Sequence, residues 1–244
     1  EWRALGMDIH QRHAGTLFVG KTFLAPAVSD PSYDEWLEAL VEREGVDMVI
    51  PTPEAELVHL SRTRAGSVGG ARLVMANARA VDIGSDKLRT ADFLASIGVD
   101  GPWTVPAEAF DSDTVLPCIF KSRRGAGSKT VFVCRTADEV GFYRDRYPSA
   151  ILQELLSPAE AEVTCAVFRS RQGRVAVVQL LRTLVGGFTG WAQVIDDDQV
   201  SRQCTRIAEA LELRGSINVQ LRLTPAGPRI FEINPRFSST VLIR

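Results

Sequence analysis

Two stretches near the C-terminus, SINVQLRL at residues 216–223 and RIFEIN at residues 229–234, decide the fold. Each alternates apolar with polar residues, which is the pattern of a β-strand that buries one face. The intervening TPAGP is rich in turn-forming residues, so the two strands are predicted to form an antiparallel hairpin in which residue 223 pairs with residue 229. The alternation assigns one shared face to the apolar side chains, namely Ile217, Val219, Leu221, Leu223, Phe231 and Ile233.

The opposite face of this hairpin is polar. In the predicted register Gln220 lies opposite Glu232, and Asn218 lies opposite Asn234. Directly opposed side chains share a face at about 4.5–5.5 Å between Cβ atoms, so the four groups cluster. A carboxylate among amide oxygens suits Mg²⁺, which takes oxygen ligands and often shares them with substrate phosphates. A solvated sheet face is the alternative, and the pattern alone leaves both interpretations open.

A second segment combines a strand with a glycine-rich loop. VLPCIFK at residues 115–121 predicts a strand that ends at Lys121, and SRRGAGSK follows it. Gly125 and Gly127 let backbone N–H groups approach a phosphate, and Ser128 adds a donor. Lys121 can reach the same phosphate as a point charge. A basic surface hairpin is the alternative for this segment taken alone.

A third segment, LQELLSPAEAEVT at residues 152–164, is typical of a hinge between subdomains. The backbone of such a hinge can pair with an adenine edge, and a later carboxylate can accept hydrogen bonds from ribose hydroxyls. A strand end followed by a loop is the alternative. Further strands are predicted in EVTCAVF and RVAVVQLLRT, joined by a hairpin through SRQGR.

Taken in order, these segments resemble a known family. The series DKLRTADFLASIGVDGPWTVP, IFKSRRGAGSKTV, LQELLSPAEAEVT and NVQLRL…FEINPRFSST is similar to the motif series of the ATP-grasp superfamily, and most similar to its carbamoyl phosphate synthetase large-subunit-like branch. The resemblance covers about residues 80–244 and, weakly, the preceding region. The last motif is specific, whereas the glycine loop alone is weak.

The resemblance implies a role for individual residues. Lys87 and Lys121 would contact the ATP phosphates, under a loop from Gly125 through Gly127 to Ser128. Adenine would be held by Glu154 and by the backbone around Leu155 and Leu156. Ribose would be held by Glu162, although Ser157-Pro158-Ala159 departs from the usual hinge and leaves Glu160 as a competitor. Two Mg²⁺ ions, with Mn²⁺ as a substitute, would be bound by Gln220, Glu232 and Asn234. Arg236 would touch the transferred phosphoryl group, and Arg182 would anchor the acceptor substrate.

The implied fold class is α/β and α+β. An ATP-grasp domain is expected over residues 85–244, with a lid subdomain at about 107–155 and a C-terminal subdomain at about 156–244. A partial, Rossmann-like pre-ATP-grasp domain is expected over residues 1–84, where a helix at 34–44 and short strands predict a small parallel sheet. The chain begins at Glu1 rather than at Met and is expected to be cut from a slightly longer protein, and members of the family usually continue beyond the position of Arg244.

Local signals predict two helix starts and exclude one motif. Ser85 is predicted to cap a helix over residues 86–97, and Thr136 with Glu139 to form a capping box. Residues 15–22 match the P-loop pattern G-x-x-x-x-G-K-T. A P-loop requires a helix that opens at the lysine, but residues 17–19 are strand-like and prolines follow shortly after Thr22, so an edge strand around residues 17–19 and a loop after it are predicted instead.

The implied activity is that of a carboxylate-amine ligase that activates a carboxylate as an acyl phosphate. The alternatives are phosphorylation of bicarbonate or carbamate, as in carbamoyl phosphate synthetase, and a non-catalytic ATP-binding module. The expected partners are a small-molecule carboxylate and an amine, whose specificity is assigned to loops such as residues 184–190. The oligomeric state is left open, with a homodimer as one alternative.

Composition excludes several other classes. The chain has 244 residues, 45% hydrophobic and 24% charged, which argues against disorder, collagen and coiled coil. A net charge of −2 is not typical of a nucleic-acid-binding protein. No stretch approaches about 18 apolar residues, which argues against a membrane span. The 4 cysteines show no C-x-x-C spacing, which fits a reducing, cytoplasmic setting.

Overall fold

The computed structural model describes residues 2–111, 113–125, 130–238 and 240. The chain divides into two compact units, Glu1–Val74 and Met75–Arg244. In the part of the chain that the structure describes, no helix is both long and apolar enough to cross a membrane.

The described residues of the first unit form two α-helices and five short strands. The helices are α1, Tyr33–Glu44, and α2, Glu54–Thr63. The strands are β1, Gly6–Asp8; β2, Thr22–Leu24; β3, Met48–Val49; β4, Ser67–Val68; and β5, Ala71–Leu73. Strands β3 and β5 are parallel neighbours, as the sequence predicts, while β4 adds antiparallel to β5. Helix α1 ends where Gly45 adopts a φ of 62°, a conformation that glycine tolerates without steric cost.

The region of the rejected P-loop match has no helix at its lysine. Residues Ala14–Leu17 form a 3₁₀ turn, and β2 begins at Thr22. The strand predicted around residues 17–19 is therefore wrong in position. Lys21 forms an ion pair with Glu44 at 2.7 Å between Nζ and Oε2, which gives this lysine a partner other than phosphate.

The second unit contains four helices and nine strands among its described residues. The helices are α3, Ala78–Gly84; α4, Lys87–Ser96; α5, Ala137–Arg146; and α6, Asp198–Ala210. The strands are β6, Thr104–Pro106; β7, Cys118–Ser122; β8, Val131–Cys134; β9, Ala150–Glu154; β10, Glu162–Arg169; β11, Val175–Val185; β12, Phe188–Ile195; β13, Gly215–Thr224; and β14, Gly227–Asn234.

A four-stranded antiparallel sheet in the order β6-β9-β7-β8 carries the glycine-loop segment. Its core includes Phe120 and Leu152, both fully buried, and Val140 of α5 packs into it. Helix α5 begins at the predicted capping box, in which Thr136 and Glu139 each accept from the other's backbone N–H. Strands β7 and β9 are antiparallel neighbours, in which Lys121 pairs with Ile151 and Glu154 pairs with Cys118.

A five-stranded antiparallel sheet in the order β12-β11-β10-β13-β14 carries the remaining motifs. One face packs against α6 through the fully buried Cys204 and Ile207. Val163 on β10 and Val219 on β13 are also fully buried. The opposite face is lined with polar groups. The hairpin β10-β11 forms as the sequence predicts, and residues 188–195 form β12, which begins within the segment 184–190 that was expected to be a loop.

The register of β13 and β14 is confirmed at one end of the hairpin and wrong at the other. Gln220 pairs with Glu232 and Asn218 with Asn234, as predicted. A β-bulge then shifts the register by one residue, and Leu223 pairs with Pro228 rather than with residue 229. A bulge places two residues of one strand against one residue of its partner, which the alternation of side chains does not reveal.

The start of α4 also differs from the prediction. Asp86, not Ser85, is the N-cap, and its carboxylate accepts hydrogen bonds from the backbone N–H groups of Leu88 and Arg89. Ser85 instead ends α3. Helix α3 packs on β14, where a side chain at Gly84 would approach the Ile233 carbonyl oxygen to 2.9 Å. The domain division expected at residues 84 and 85 stays a prediction.

Candidate functional site

A cavity of about 680 Å³ in the second unit is lined by residues from both sheets. The described residues that the sequence resemblance assigned to the site line it, apart from the competing ribose candidate Glu160: Lys87, Lys121, Gly125, Glu154, Leu155, Leu156, Glu162, Arg182, Gln220, Glu232, Asn234 and Arg236. Gly127 and Ser128 lie outside the described residues. The cavity has the size of a typical small-molecule site. The roles assigned to the individual residues that line it stay predictions.

Two lysines enter the cavity from different elements. Lys121 ends the buried part of β7 and is only 6% exposed. Burial lowers the pKa of its ammonium to about 8; the Glu232 carboxylate opposes this shift, and the Lys87 ammonium adds to it. Lys87 opens α4, donates from Nζ to the Gly125 carbonyl oxygen at 2.9 Å, and lies 3.8 Å from Glu232 Oε1. The pair concentrates positive charge beside a carboxylate, as an anion site would require.

Asp86 anchors the start of the glycine loop to the start of α4. Its carboxylate is 1% exposed and accepts from Arg123 Nε at 2.8 Å and from Arg124 Nη2 at 3.3 Å. Burial by itself raises the pKa of Asp86, but the bonds from Arg123, from the Arg89 backbone and from Arg124 outweigh it, so the pKa lies below its ordinary value. The sequence offered one signal for this role, namely an aspartate directly before Lys87.

The candidate metal ligands meet at the end of the β13-β14 hairpin. Gln220 and Glu232 are direct cross-strand partners, and Asn234 follows on the same face. One carboxylate with two amide oxygens provides hard donors but little charge, which suits a cation that shares its ligands with phosphate. Among the described residues, no group of three or more His, Cys, Asp or Glu could hold a metal by itself.

Asn218 lies opposite Asn234 as predicted, yet its amide is used within the sheet. Its Nδ2 donates to Thr164 Oγ1 at 2.7 Å and to the Cys165 carbonyl oxygen at 3.2 Å, and Oδ1 accepts from Thr164 at 3.3 Å. Thr164 is fully buried. These bonds make Asn218 a structural member of the polar face and reduce its availability as a ligand.

The predicted hinge connects the two sheets. Glu154 Oε2 accepts from Arg229 Nη2 at 2.9 Å and from the Trp103 backbone N–H at 3.2 Å. The carbonyl oxygen of Leu156 accepts from Arg222 Nη1 at 2.9 Å. Two arginines of the five-stranded sheet therefore hold the segment that leaves β9. Sequence reasoning assigned no role to either arginine, although alternation places Arg222 on the polar face beside Gln220.

Glu162 lies at the centre of a row of three charged residues. Glu162 lies on β10, where its direct cross-strand partners are Arg182 on β11 and Arg222 on β13. Its Oε1 accepts from Arg182 Nη2 at 2.7 Å and Nε at 3.0 Å, while Oε2 accepts from Arg222 Nη2 at 2.9 Å. All three side chains are 15% exposed or less. Both oxygens of the predicted ribose ligand are thus bonded within the protein.

Arg236 and the β11-β12 hairpin line further parts of the cavity. Arg236 Nη1 donates to the Phe237 carbonyl oxygen at 3.1 Å. Leu184, Gly187 and Phe188 come from the hairpin, where Gly187 has a φ of 84°. The segment expected to carry substrate specificity therefore does reach the cavity, as the tip of a hairpin.

Phe231 is a cavity residue that the alternation of β14 assigned to the wrong face. The bulge makes it the extra residue between Ile230 and Glu232, so it lines the cavity, while Ile230 and Ile233 are fully buried. Its ring centroid lies 5.8 Å from Lys121 Nζ and 5.9 Å from the Arg222 guanidinium carbon. An aromatic face at this distance attracts cations.

Comparison with known proteins finds one family model and two curated relatives that this chain resembles. Residues 146–243 match the family described as "ATP-grasp in the biosynthetic pathway with Ter operon". A carbamoyl-phosphate synthase of Methanobrevibacter smithii is 21% identical over 183 residues, covering 69% of this chain and 50% of that protein. The carbamoyl phosphate synthase large chain of Campylobacter jejuni is 25% identical over 239 residues, covering 87% of this chain and 21% of that protein. The chain thus spans half, or less, of these curated relatives.

A solved structure gives the fold over almost the whole chain. The ADP complex of N5-carboxyaminoimidazole ribonucleotide synthetase superposes with a TM-score of 0.75 at 18% identity, covering 98% of this chain and 65% of that one. This likeness establishes an ATP-grasp fold of mixed helices and sheets. With the family match over residues 146–243 and the two synthase relatives, it shows that the chain is similar to ATP-grasp proteins and, among them, to carbamoyl phosphate synthases.

Proposed function

We propose that the cavity binds ATP and activates a carboxylate as an acyl phosphate, which an amine then attacks to form a C–N bond. One observation carries the proposal: a single cavity joins Lys87, Lys121 and Arg236 with the oxygen donors of Gln220, Glu232 and Asn234. The relatives named above support it, because their names describe ATP-grasp and carbamoyl phosphate chemistry.

The reaction balances in two steps. An oxygen of the carboxylate attacks the γ-phosphorus of ATP, the bond from that phosphorus to the bridging oxygen breaks, and ADP leaves. The amine nitrogen then attacks the acyl carbon, phosphate leaves, and the nitrogen loses a proton. Catalysis of phosphoryl transfer consists mainly of positioning and of neutralising charge. No nucleophilic side chain is required by either step.

The residues present fit a divalent cation, and Gln220, Glu232 and Asn234 would hold Mg²⁺. When bound, Mg²⁺ neutralises phosphate oxygens and orients the transferred group. The chain itself supplies three further cations. Lys87 and Lys121 neutralise phosphate oxygens from the α4 and β7 sides, and Arg236 supplies a planar donor for the transferred phosphoryl group.

The adenine is assigned to the hinge from Glu154 to Leu156. Phe231 would offer an aromatic face, since it lines the cavity and approaches Lys121 and Arg222. For the ribose, Glu160 and Glu162 were open alternatives. Glu160 is exposed but does not line the cavity, whereas Glu162 lines it with both oxygens bonded to arginines, so the two alternatives stay open.

The test is trapping of the acyl phosphate with hydroxylamine, which replaces the unknown amine. The protein is incubated with ATP, Mg²⁺ and a panel of carboxylic acids, and acyl hydroxamate and ADP are measured together. Equal amounts of hydroxamate and ADP with at least one acid support the proposal. ADP release without hydroxamate for every acid contradicts it. Bicarbonate belongs in the panel as well, scored by ADP formation, because both curated relatives are carbamoyl phosphate synthases.

A further inference from the structure

We propose that Glu162 is a positioning residue, which fixes the adenine hinge and the β11-β12 hairpin relative to one another through Arg222 and Arg182, and that it does not bind ribose. The inference rests on the proposed binding of ATP in this cavity. It reassigns a residue whose resemblance-based role was that of a ribose ligand.

Both oxygens of the Glu162 carboxylate already accept hydrogen bonds from arginine side chains. Arg182 binds Oε1 through two nitrogens at 2.7 and 3.0 Å, and Arg222 binds Oε2 at 2.9 Å. The three residues are direct cross-strand partners, so the backbone pairing of β11, β10 and β13 already sets their spacing. Three of the roughly four acceptor sites of the carboxylate are therefore used by guanidinium groups, in charge-assisted bonds that are stronger than a neutral bond to a ribose hydroxyl.

Arg222 connects Glu162 to the hinge. Arg222 uses Nη2 for Glu162 and Nη1 for the carbonyl oxygen of Leu156, at 2.9 Å in both cases. Since the guanidinium group is planar and rigid, the position of Glu162 sets the direction in which Arg222 holds that carbonyl. The Leu156 backbone is part of the predicted adenine site, so Glu162 acts on the nucleotide through Arg222.

Arg182 connects Glu162 to the hairpin. Arg182 Nη1 donates to Thr189 Oγ1 at 3.4 Å, near the start of β12. Leu184, which pairs with Thr189, lines the cavity together with Phe188. Without the Glu162 carboxylate, two buried guanidinium groups would lack their counter-charge and would move apart toward water. Both the hinge and the hairpin would then lose their fixed positions.

The experiment compares ATP with 2′,3′-dideoxy-ATP, which lacks both ribose hydroxyls. Dissociation constants for the Mg²⁺ complexes of both nucleotides are measured by calorimetry for the unaltered protein, Glu162→Gln, Arg222→Lys and Glu160→Gln. For Glu162→Gln and Arg222→Lys we expect both constants to rise by about tenfold, the cost of a charge-assisted hydrogen bond, with the ratio between the nucleotides unchanged. Glu160→Gln is the matched control on the same segment, and any effect that it has should be confined to ATP.

Two results would overturn the inference. If Glu162→Gln weakens ATP binding alone and removes the difference between the nucleotides, Glu162 binds ribose. If neither nucleotide is affected by Glu162→Gln or Arg222→Lys, the row positions nothing. Should Glu162→Gln fail to fold by thermal melting, Arg222→Lys keeps the total charge and supplies the test. Failure of the unaltered protein to bind ATP would instead refute the proposed function, and this inference with it.

A double-variant measurement separates positioning from simple loss of stability. If Glu162 acts through Arg182 on the hairpin, Glu162→Gln and Arg182→Lys remove the same contact. Their effects on the KM of a hydroxamate-forming acid should then be non-additive, with the double variant about as impaired as the worse single variant. Fully additive effects would contradict the proposed link to the hairpin.

Discussion

Lys121 should make nucleotide binding depend on pH above neutrality. Its pKa is lowered to about 8 by burial, with Glu232 opposing and Lys87 adding to the shift. A phosphate oxygen beside the ammonium favours the charged form, so binding should return the pKa toward about 10.4, the value of a free lysine. At a pH between about 8 and about 10.4, Lys121 should therefore take up a proton when the nucleotide binds.

The size of the effect follows from the two pKa values. Relative to pH 7, ATP affinity should fall by about twofold at pH 8 and about tenfold at pH 9. Proton uptake should be about half a proton per nucleotide at pH 8 and about 0.9 at pH 9. The terminal phosphate does not obscure this window, because its own ionisation lies near a pKa of about 6.

The same shift acts on the stability of the nucleotide-free protein. Because the folded-state pKa is depressed, the unfolded chain binds more protons between pH of about 8 and about 10.4. The free energy of unfolding should therefore rise with pH across this window as far as Lys121 is concerned. Below pH of about 8, both states carry the proton, and the contribution of this residue no longer varies.

The assay is calorimetric titration of a non-hydrolysable ATP analogue at pH 7, 8 and 9, in buffers that differ in ionisation enthalpy. The dependence of the observed heat on the buffer gives the proton uptake directly. Lys121→Arg should abolish the uptake, since a guanidinium stays protonated throughout. An absence of uptake at pH 9, or an equal uptake in Lys121→Arg, would refute the reasoning.

Three further predictions concern single side chains. Lys121→Ala should weaken ATP binding by about tenfold, because it removes a charge-assisted hydrogen bond. Lys21→Ala should leave ATP binding unchanged, because Lys21 forms an ion pair with Glu44 in the first unit. Calorimetry on both variants decides between the two interpretations of the phosphate site. Glu232→Gln should lower turnover by about 100-fold or more with an unchanged melting temperature, and unaltered magnesium dependence in this variant would contradict the metal assignment. Phe188→Ala should change the KM for the acid but not the KM for ATP. Val185→Ala, which lies on the same hairpin but outside the cavity lining, should change neither KM. Equal effects of the two substitutions would exclude the hairpin tip from substrate selection.

Much of the fold is encoded in local signals that a single sequence carries. The capping box at Thr136, the glycine stop at Gly45 and the alternation of SINVQLRL each involve residues close together in the chain. Such signals predict elements well because the interactions that form them are local. The start of α4 shows the limit, since Ser85 and Asp86 are both good capping residues and only the ion pairs from Arg123 and Arg124 favour the second.

The charged row around Glu162 could not be predicted by the same means. Alternation shows that Glu162 shares a face with Thr164, but it does not reveal which strands flank β10. The pairing with Arg182 on one side and Arg222 on the other depends on the strand order of the whole sheet. A resemblance to a family supplies a role for such a residue without supplying its neighbours, and the neighbours determine whether its oxygens are available.

The bulge at Phe231 lets β14 place Ile230 and Ile233 in the core and Phe231 in the cavity, which strict alternation of side chains does not allow. With regular pairing, the cavity face opposite Arg222 would be occupied by residue 230. Instead Arg222 pairs with Arg229, and Ile230 and Ile233 are both fully buried. The extra residue then points an aromatic ring at Lys121, beside the Glu232 carboxylate. Bulges beside functional sites re-aim side chains in this way. In this protein, one inserted residue lets β14 fill the core and still bring an apolar ring, a carboxylate and an amide to the same cavity.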